Sequence, residues 1–154
     1  MKEIKLSQGK FTLVDDKDYE DLNKYKWFCS GSTKSKFYAR RDKNRKAIYM
    51  HKIILGDSLT EGDHINGNTL DNRRKNLRIA NHQQNMFNQK IRNDNHSGYT
   101  GVWWHTRDKK WASTIQAKPK RIWLGYFKTK KEAIVVYNLK AKELIGEYAR
   151  LNSV

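Results

Sequence analysis

The sequence predicts an α+β chain of short strands and a few helices, on three observations. Runs rich in Val, Ile, Tyr, Phe and Trp recur between clusters of Gly, Asn, Asp and Ser, the pattern of short strands joined by turns. One helix is signalled near the C-terminus. There Thr129 and Glu132 have capping-box spacing, Ala133, Val136, Tyr137, Ala141 and Leu144 keep helical spacing, and Gly146 closes the run. The 154 residues are 37% hydrophobic and 12% aromatic, enough to build one or two small cores, so the chain is not a disordered basic tail.

The elements follow in order. Ile4 and Leu6, then Phe11 and Leu13, alternate around a turn at Ser7-Gln8-Gly9 and predict a hairpin with those four residues as its apolar positions. Asp15-Asp16 predicts the cap of a short helix through Leu22. Tyr25 to Cys29 and Lys36 to Arg41 read as strands around the polar loop Ser30 to Ser35. Seven basic residues lie between Lys34 and Lys46, read either as a solvated face or as a phosphate-tracking arm. In the run Ile48 to Leu55, His51 sits among apolar residues, which favours a structural histidine over a ligand or a base. Asn81-x-x-Gln84 reads as a helix N-cap with a reciprocal partner, placing Asn85 in the first turn. Asn93 to Gly98 is a polar linker. Beyond it, Gly101 to His105, Lys110 to Ala117 and Arg121 to Phe127 read as three strands before the capped helix. Three segments result: a β-rich region 1–55, a turn-rich core 56–92 and a module 93–154.

Charge restricts the function classes. A net charge of +16 and a pI near 9.9 point to a polyanionic partner, DNA or RNA. Cys29 is the one cysteine, which excludes an internal disulfide and a cysteine-based zinc cluster. No apolar run reaches the length of a signal peptide core or a membrane span, so a cytoplasmic protein without membrane contact is expected. The sole proline, Pro119, rules out a proline-rich linker.

The chemistry concentrates in the turn-rich segment. Asp63 and His64 are adjacent, and side chains that are neighbours on a strand point to opposite faces. The pair can therefore divide two tasks, Asp63 holding a hard cation and His64 activating a water. Asn85 follows Asp63 by 22 residues and is a candidate for the second oxygen ligand. Two protein oxygens leave most coordination positions to water and phosphate, which suits one Mg²⁺ (or Mn²⁺) per active site and disfavours Zn²⁺. Arg73, Arg74 and Arg78 are placed to clamp phosphates, or else form an exposed basic face.

The run Asp63-His64-x-Asn66-x-Asn68, then Asp71-Asn72-Arg73, Asn76-Leu77-Arg78, Gln84-Asn85 and Asn88 resembles the HNH endonucleases, in the phage and mobile-element homing branch where Asn replaces the last His. The resemblance implies a ββα-metal core. It also implies His64 as general base, Asp63 and Asn85 as metal ligands, and Asn76 as the catalytic-loop residue that pins the loop by bridging backbone groups. The spacings of 12 residues from His64 to Asn76 and 9 from Asn76 to Asn85 fit that geometry.

Residues 98 to 152 resemble the Apetala/ethylene-response-factor type DNA-binding domain. The resemblance is carried by Gly101-Val102, Lys110-Trp111, Ile115, Ile122-Trp123-Leu124-Gly125, Phe127, Glu132-Ala133, Ala141, Leu144 and Gly146. It implies a three-stranded antiparallel sheet packed on one helix, with the other face of the sheet in the major groove. Strand alternation then places Thr114 and Gln116, with Arg121 and Trp123, on the DNA side. Trp103, Trp104 and Trp111 read either as sheet packing or, for Trp103, as a DNA contact. Trp103 and Gln116 stand where the plant domains have arginines, so the plant target sequence does not carry over.

These readings converge on a divalent-metal-dependent, homing-type endonuclease acting on double-stranded DNA, in the bacterial host cytoplasm if phage-encoded. A non-catalytic DNA-binding regulator is the competing class, and a dead nuclease would retain the same loop. An RNA-binding role has no paired stacking motif behind it. One site cuts one strand, so a monomer nicks and a dimer is needed for a double-strand cut; the residues leave that choice open.

Overall fold

The computed structural model describes residues 1–32, 36–56, 61–91, 94–117 and 120–154. Lys34 of the basic run, Asn93 of the linker and Pro119 lie outside them. Small antiparallel sheets and helices form two compact units, Met1–Asn85 and Met86–Val154.

In the first unit, β1 (Lys2–Lys5) pairs with β2 (Phe11–Val14). The turn is Ser7-Gln8-Gly9, with Gln8 and Gly9 at positive φ. A three-residue turn sets even-numbered residues opposite even-numbered ones, and Ile4 faces Thr12. Ile4, Leu6, Thr12 and Val14 are therefore the buried residues, while Phe11 is exposed, which corrects the alternation read from the sequence. Helix α1 (Asp16–Asn23) follows. Asp15 occupies its N-cap position but makes no side-chain cap bond. Its carboxylate instead accepts the backbone N–H of Arg74 at 2.8 Å, so a tertiary contact has displaced the expected local one.

Strands β3 (Phe28–Ser30), β4 (Tyr38–Lys43) and β5 (Lys46–Tyr49) form a meander, turning at Asn44-Arg45 with both residues in the left-handed region. Helix α2 (Met50–Leu55) ends at Gly56. Then β6 (Glu61–His64) pairs with β7 (Leu77–Ala80), and α3 (His82–Phe87) follows. One core, including Leu6, Val14, Trp27, Met50, Ile54 and Leu77, joins the first hairpin, the meander, α2 and β7. The hairpin carrying Asp63 and His64 thus shares its core with the N-terminal strands.

The second unit has strand order β10-β9-β8, from β8 (Val102–His105), β9 (Lys110–Ala117) and β10 (Lys120–Phe127), with helix α4 (Lys130–Ile145). Thr129 and Glu132 form the expected capping box and Gly146 caps the other end at φ 64°. Val102 and Ile115, with Ile122 partly buried, pack against Ala133, Ile134, Tyr137 and Ala141. Ile134 is buried where the sequence reading had Leu144, which is exposed. Asn152 fastens the C-terminal tail by exchanging hydrogen bonds with the Thr100 backbone and with the Asn138 side chain.

Candidate active site

The loop between β6 and β7 is built from asparagine chemistry. Asn76 ends a short 3-10 turn (Arg74–Asn76) and is buried. Its side-chain oxygen accepts the N–H of Asn66 at 2.9 Å and its amide nitrogen donates to the carbonyl of Asp71 at 2.8 Å, bridging two backbone groups. Asn66 and Asn68 each accept a backbone N–H two residues on, the Asx geometry that favours asparagine in tight turns. The Asp71 carboxylate receives Arg73 through two bonds of 2.6 Å and Asn66 at 2.9 Å. The Arg73 guanidinium holds the Asp71 carboxyl below the usual range.

His64 is 4% exposed and Asp63 6%. Both are more enclosed than a strand end suggests. The rings of His51 and Tyr38 lie 5.2 and 6.2 Å from that of His64. His64 Nε2 lies 3.1 Å from Asn72 Oδ1. The Asn72 amide nitrogen donates to Thr12 Oγ1 at 2.7 Å, and the Thr12 hydroxyl donates to the Leu70 carbonyl at 2.8 Å. This chain fixes the imidazole tautomer. A carbonyl only accepts, so Thr12 spends its single proton on Leu70 and must accept from Asn72. That turns the Asn72 oxygen to His64, whose Nε2 must then donate. Nδ1 is left as the basic nitrogen. Strand β2 sets the partner in place: Leu13 accepts the Asn72 N–H at 2.8 Å and donates to Leu70 at 2.9 Å. Burial pushes the His64 pKa below its ordinary value, partly offset by the Asn72 bond, which favours the neutral form a base needs.

Asp63 pairs across the hairpin with Arg78, whose Nε and Nη2 reach Oδ2 at 2.8 and 2.6 Å. Arg74 pairs with Asp18 at 2.7 Å. All three arginines read as phosphate clamps are thus engaged by carboxylates, because the fold brings Asp18, Asp63 and Asp71 to them. Asn81 and Gln84 exchange the two expected capping bonds, both 2.8 Å. Asn85 donates to Glu61 Oε2 at 3.1 Å and Gly62 O at 3.4 Å, so its amide oxygen is the atom it has to offer a cation. A carboxylate and an amide oxygen are a donor set for a hard divalent ion that keeps several waters. Among the described residues no group of three or more His, Cys, Asp and Glu could hold a metal.

Trp103, Thr114, Gln116, Arg121 and Trp123 belong to the second unit. Register sets Trp123 opposite Thr114 and Arg121 opposite Gln116, all on the face away from α4, and Trp103 opposite Ala112 on that same face. Trp111 packs against the core, whereas Trp103 and Trp104 are exposed.

Sequence reasoning missed Asn72 and Thr12 as partners of the histidine. The Asp71-Asn72 dipeptide was a signal, but nothing local pointed to Thr12, 52 residues before His64. It also missed Gly62, where a Cβ would lie 2.8 Å from the His51 ring, so that histidine packs directly on the strand of the site.

Residues 59–87 match the HNH endonuclease family. The chain carries an HNH endonuclease domain. Outside the domain the similarity continues: an uncharacterized HNH endonuclease, L560, of Acanthamoeba polyphaga mimivirus is 27% identical over 152 residues, 96% of this chain and 77% of that protein. Protein 3.8 of Escherichia phage T7 is 32% identical over 90 residues, 57% of this chain and 72% of its own length, and the two belong to one family. The ethylene-responsive transcription factor ERF024 of Arabidopsis thaliana is 42% identical over 59 residues, 37% of this chain and 32% of that protein. No solved structure matches significantly. No helix among the described residues is long and apolar enough to cross a membrane.

Proposed function

We propose that this protein is a divalent-metal-dependent, homing-type endonuclease that hydrolyses phosphodiester bonds in double-stranded DNA. The observation that carries the reading is the His64–Asn72–Thr12–Leu70 chain inside the HNH domain, which presents a neutral imidazole with Nδ1 as its basic nitrogen. His64 Nδ1 takes a proton from water, and the resulting hydroxide attacks phosphorus. The bond from phosphorus to the leaving oxygen breaks, and that oxygen takes a proton from solvent. Asp63 and Asn85 would hold one Mg²⁺ or Mn²⁺, which when bound neutralises charge on the phosphate and the leaving oxygen. Asn76 keeps the loop closed under His64. Arg73, Arg74 and Arg78 are tied to Asp71, Asp18 and Asp63, so to clamp a phosphate each would exchange its carboxylate for it. The second unit, with Trp103, Thr114, Gln116, Arg121 and Trp123 on one face, recognises the DNA. The protein works in the cytoplasm, that of the bacterial host if it is phage-encoded.

Incubation of the full chain with supercoiled plasmid tests the reading. Relaxed or linear product is expected with Mg²⁺, and none with EDTA. A second reading, a DNA-binding protein without cleavage, draws on the Arg78 guanidinium that already neutralises Asp63. Binding without any product in Mg²⁺ or Mn²⁺ would establish that alternative.

A further inference from the structure

Arg41 of β4 differs from the three arginines of the HNH loop, each of which is tied to a carboxylate. Its Cζ sits over the Tyr25 ring, 3.7 Å from the centroid, and 5.6 Å from that of Trp27. Its Nε is buried without a hydrogen-bond partner. Among the described residues no carboxylate pairs with it. The two rings beneath it are held by the fold. Leu22 is buried in the core at the end of α1, and its carbonyl accepts the Trp27 indole N–H at 2.8 Å and the Tyr25 N–H at 3.2 Å. Stacking spends the flat face of a guanidinium and not its N–H donors, which lie in its own plane. Arg41 is thus fixed in place with donor capacity to spare.

Arg41 lines an open cleft of about 680 Å³ with Lys5, Ser7, Tyr25, Lys26 and Trp27. The chemistry of that lining is donor chemistry. Lys5 and Lys26 are exposed. Ser7 Oγ already accepts the Cys29 N–H at 2.9 Å, which leaves its hydroxyl proton to give. The one carboxylate of the lining, Asp42, is held by Arg40 at 2.7 Å. Cations continue beyond the cleft. Strand alternation puts Lys43 on the face of Arg41, and register sets Lys46 of β5 opposite Lys43, both exposed. A row of cations that runs past a cleft fits a polymer of phosphates better than one small anion. Tyr38, whose ring meets that of His64, points to the opposite face of β4. A phosphate at Arg41 is therefore a flanking one and not the one attacked.

We infer that this cleft is a backbone-phosphate site for duplex DNA, with Arg41 as its anchor and Lys5, Lys26, Lys43 and Lys46 around it. The inference rests on the proposed reading that the partner is DNA. It gives the nuclease unit a hold on the duplex of its own, independent of base sequence, because phosphates are the same at every step. It also settles the basic run ending at Lys46 as a phosphate-tracking segment with a fixed point in it.

The test uses the full chain in EDTA with a labelled duplex, read by anisotropy at several salt concentrations. Arg41→Gln should weaken binding about tenfold, as loss of a charged hydrogen bond does. The slope of log affinity against log salt should become shallower by about 0.9, the contribution of one phosphate. Duplexes of unrelated sequence should lose affinity equally. Arg41→Lys should keep the slope and recover part of the affinity. Tyr25→Ala should weaken binding, whereas Tyr25→Phe, which keeps the ring under Arg41, should not. Thermal melts of the variants check the fold. Wild-type affinity in Arg41→Gln overturns the inference. So does a loss of affinity with the slope unchanged, which marks a structural role, or a loss confined to one DNA sequence. A chain that binds no duplex loses both this site and the proposed function. One that binds and cuts DNA with Arg41→Gln indistinguishable from wild type loses only the site.

Discussion

The HNH loop and the outer face of the C-terminal sheet treat polar and aromatic groups in opposite ways. Around His64 the functional groups are committed to one another: Asn72 to Thr12, Asn76 to two backbone groups, Asp63 to Arg78. On the sheet, Trp103, Trp123 and Gln116 stand exposed. A base must be held in one tautomer and one orientation, and burial with complete hydrogen bonding does that. A recognition face must exchange water for ligand, and leaving large rings at the surface does that. The same chain therefore concentrates its buried polar network where chemistry is expected and its exposed rings where binding is expected.

The contrast can be broken most severely at Asp63. Asp63→Ala removes a proposed metal ligand and the carboxylate that pairs with Arg78, whose side chain is only 12% exposed. Cleavage should vanish, and loss of this enclosed ion pair should lower stability. Asn85→Ala should raise the Mg²⁺ requirement without that loss, with Mn²⁺ restoring part of the activity. Denaturant melts and metal titrations of both variants check the difference. Equal melting midpoints for wild type and Asp63→Ala would contradict a stabilising pair.

A finer cut falls on the tautomer chain. Thr12→Val and Asn72→Leu should each slow cleavage about 10- to 100-fold, as loss of an orienting partner does, while Thr12→Ser keeps the rate. The readout that separates positioning from plain destabilisation is the pH–rate profile. Its acid limb should move in the variants and stay in place in Thr12→Ser.

Acid should damage the enclosed site before it damages the sheet. Burial, with the nearby His64 and Lys52 charges, lowers the His51 pKa from 6.5 to about 4. The unfolded chain therefore takes this proton first as pH falls. The stability it represents is complete above pH 6.5 and is lost towards pH 4, in all roughly 3 kcal/mol. Hydrogen exchange in β6 and β7 should speed up across that window more than in β9. Uniform protection in both would count against it. Single outer-face polar residues act on binding rather than on the site: Gln116→Ala should cost about 1–3 kcal/mol in DNA binding if it touches a base edge, and Lys140→Ala less, the smallest effect of the set.

What could be read from the sequence was local. Both capping boxes, Asn81 with Gln84 and Thr129 with Glu132, depend on residues three apart and formed as expected. The sheet faces followed from alternation around Ile115. What could not be read depended on register and distance. Phe11 looked like a core residue until the three-residue turn turned Thr12 inward instead, and Thr12 then became the anchor of the histidine's partner. The pairs Arg74–Asp18 and Arg78–Asp63 join residues 56 and 15 apart, and charge composition alone gives no pairing. The metal-ligand roles of Asp63 and Asn85 and the base role of His64 remain proposals, drawn from the resemblance of the motif.

His64→Ala tests the central claim most directly, through single-turnover cleavage and DNA affinity measured on the same preparation. Loss of the general base should slow cleavage about 10²- to 10⁴-fold with affinity almost unchanged. Cleavage at the wild-type rate at pH 7 would contradict the assignment of His64 as the base.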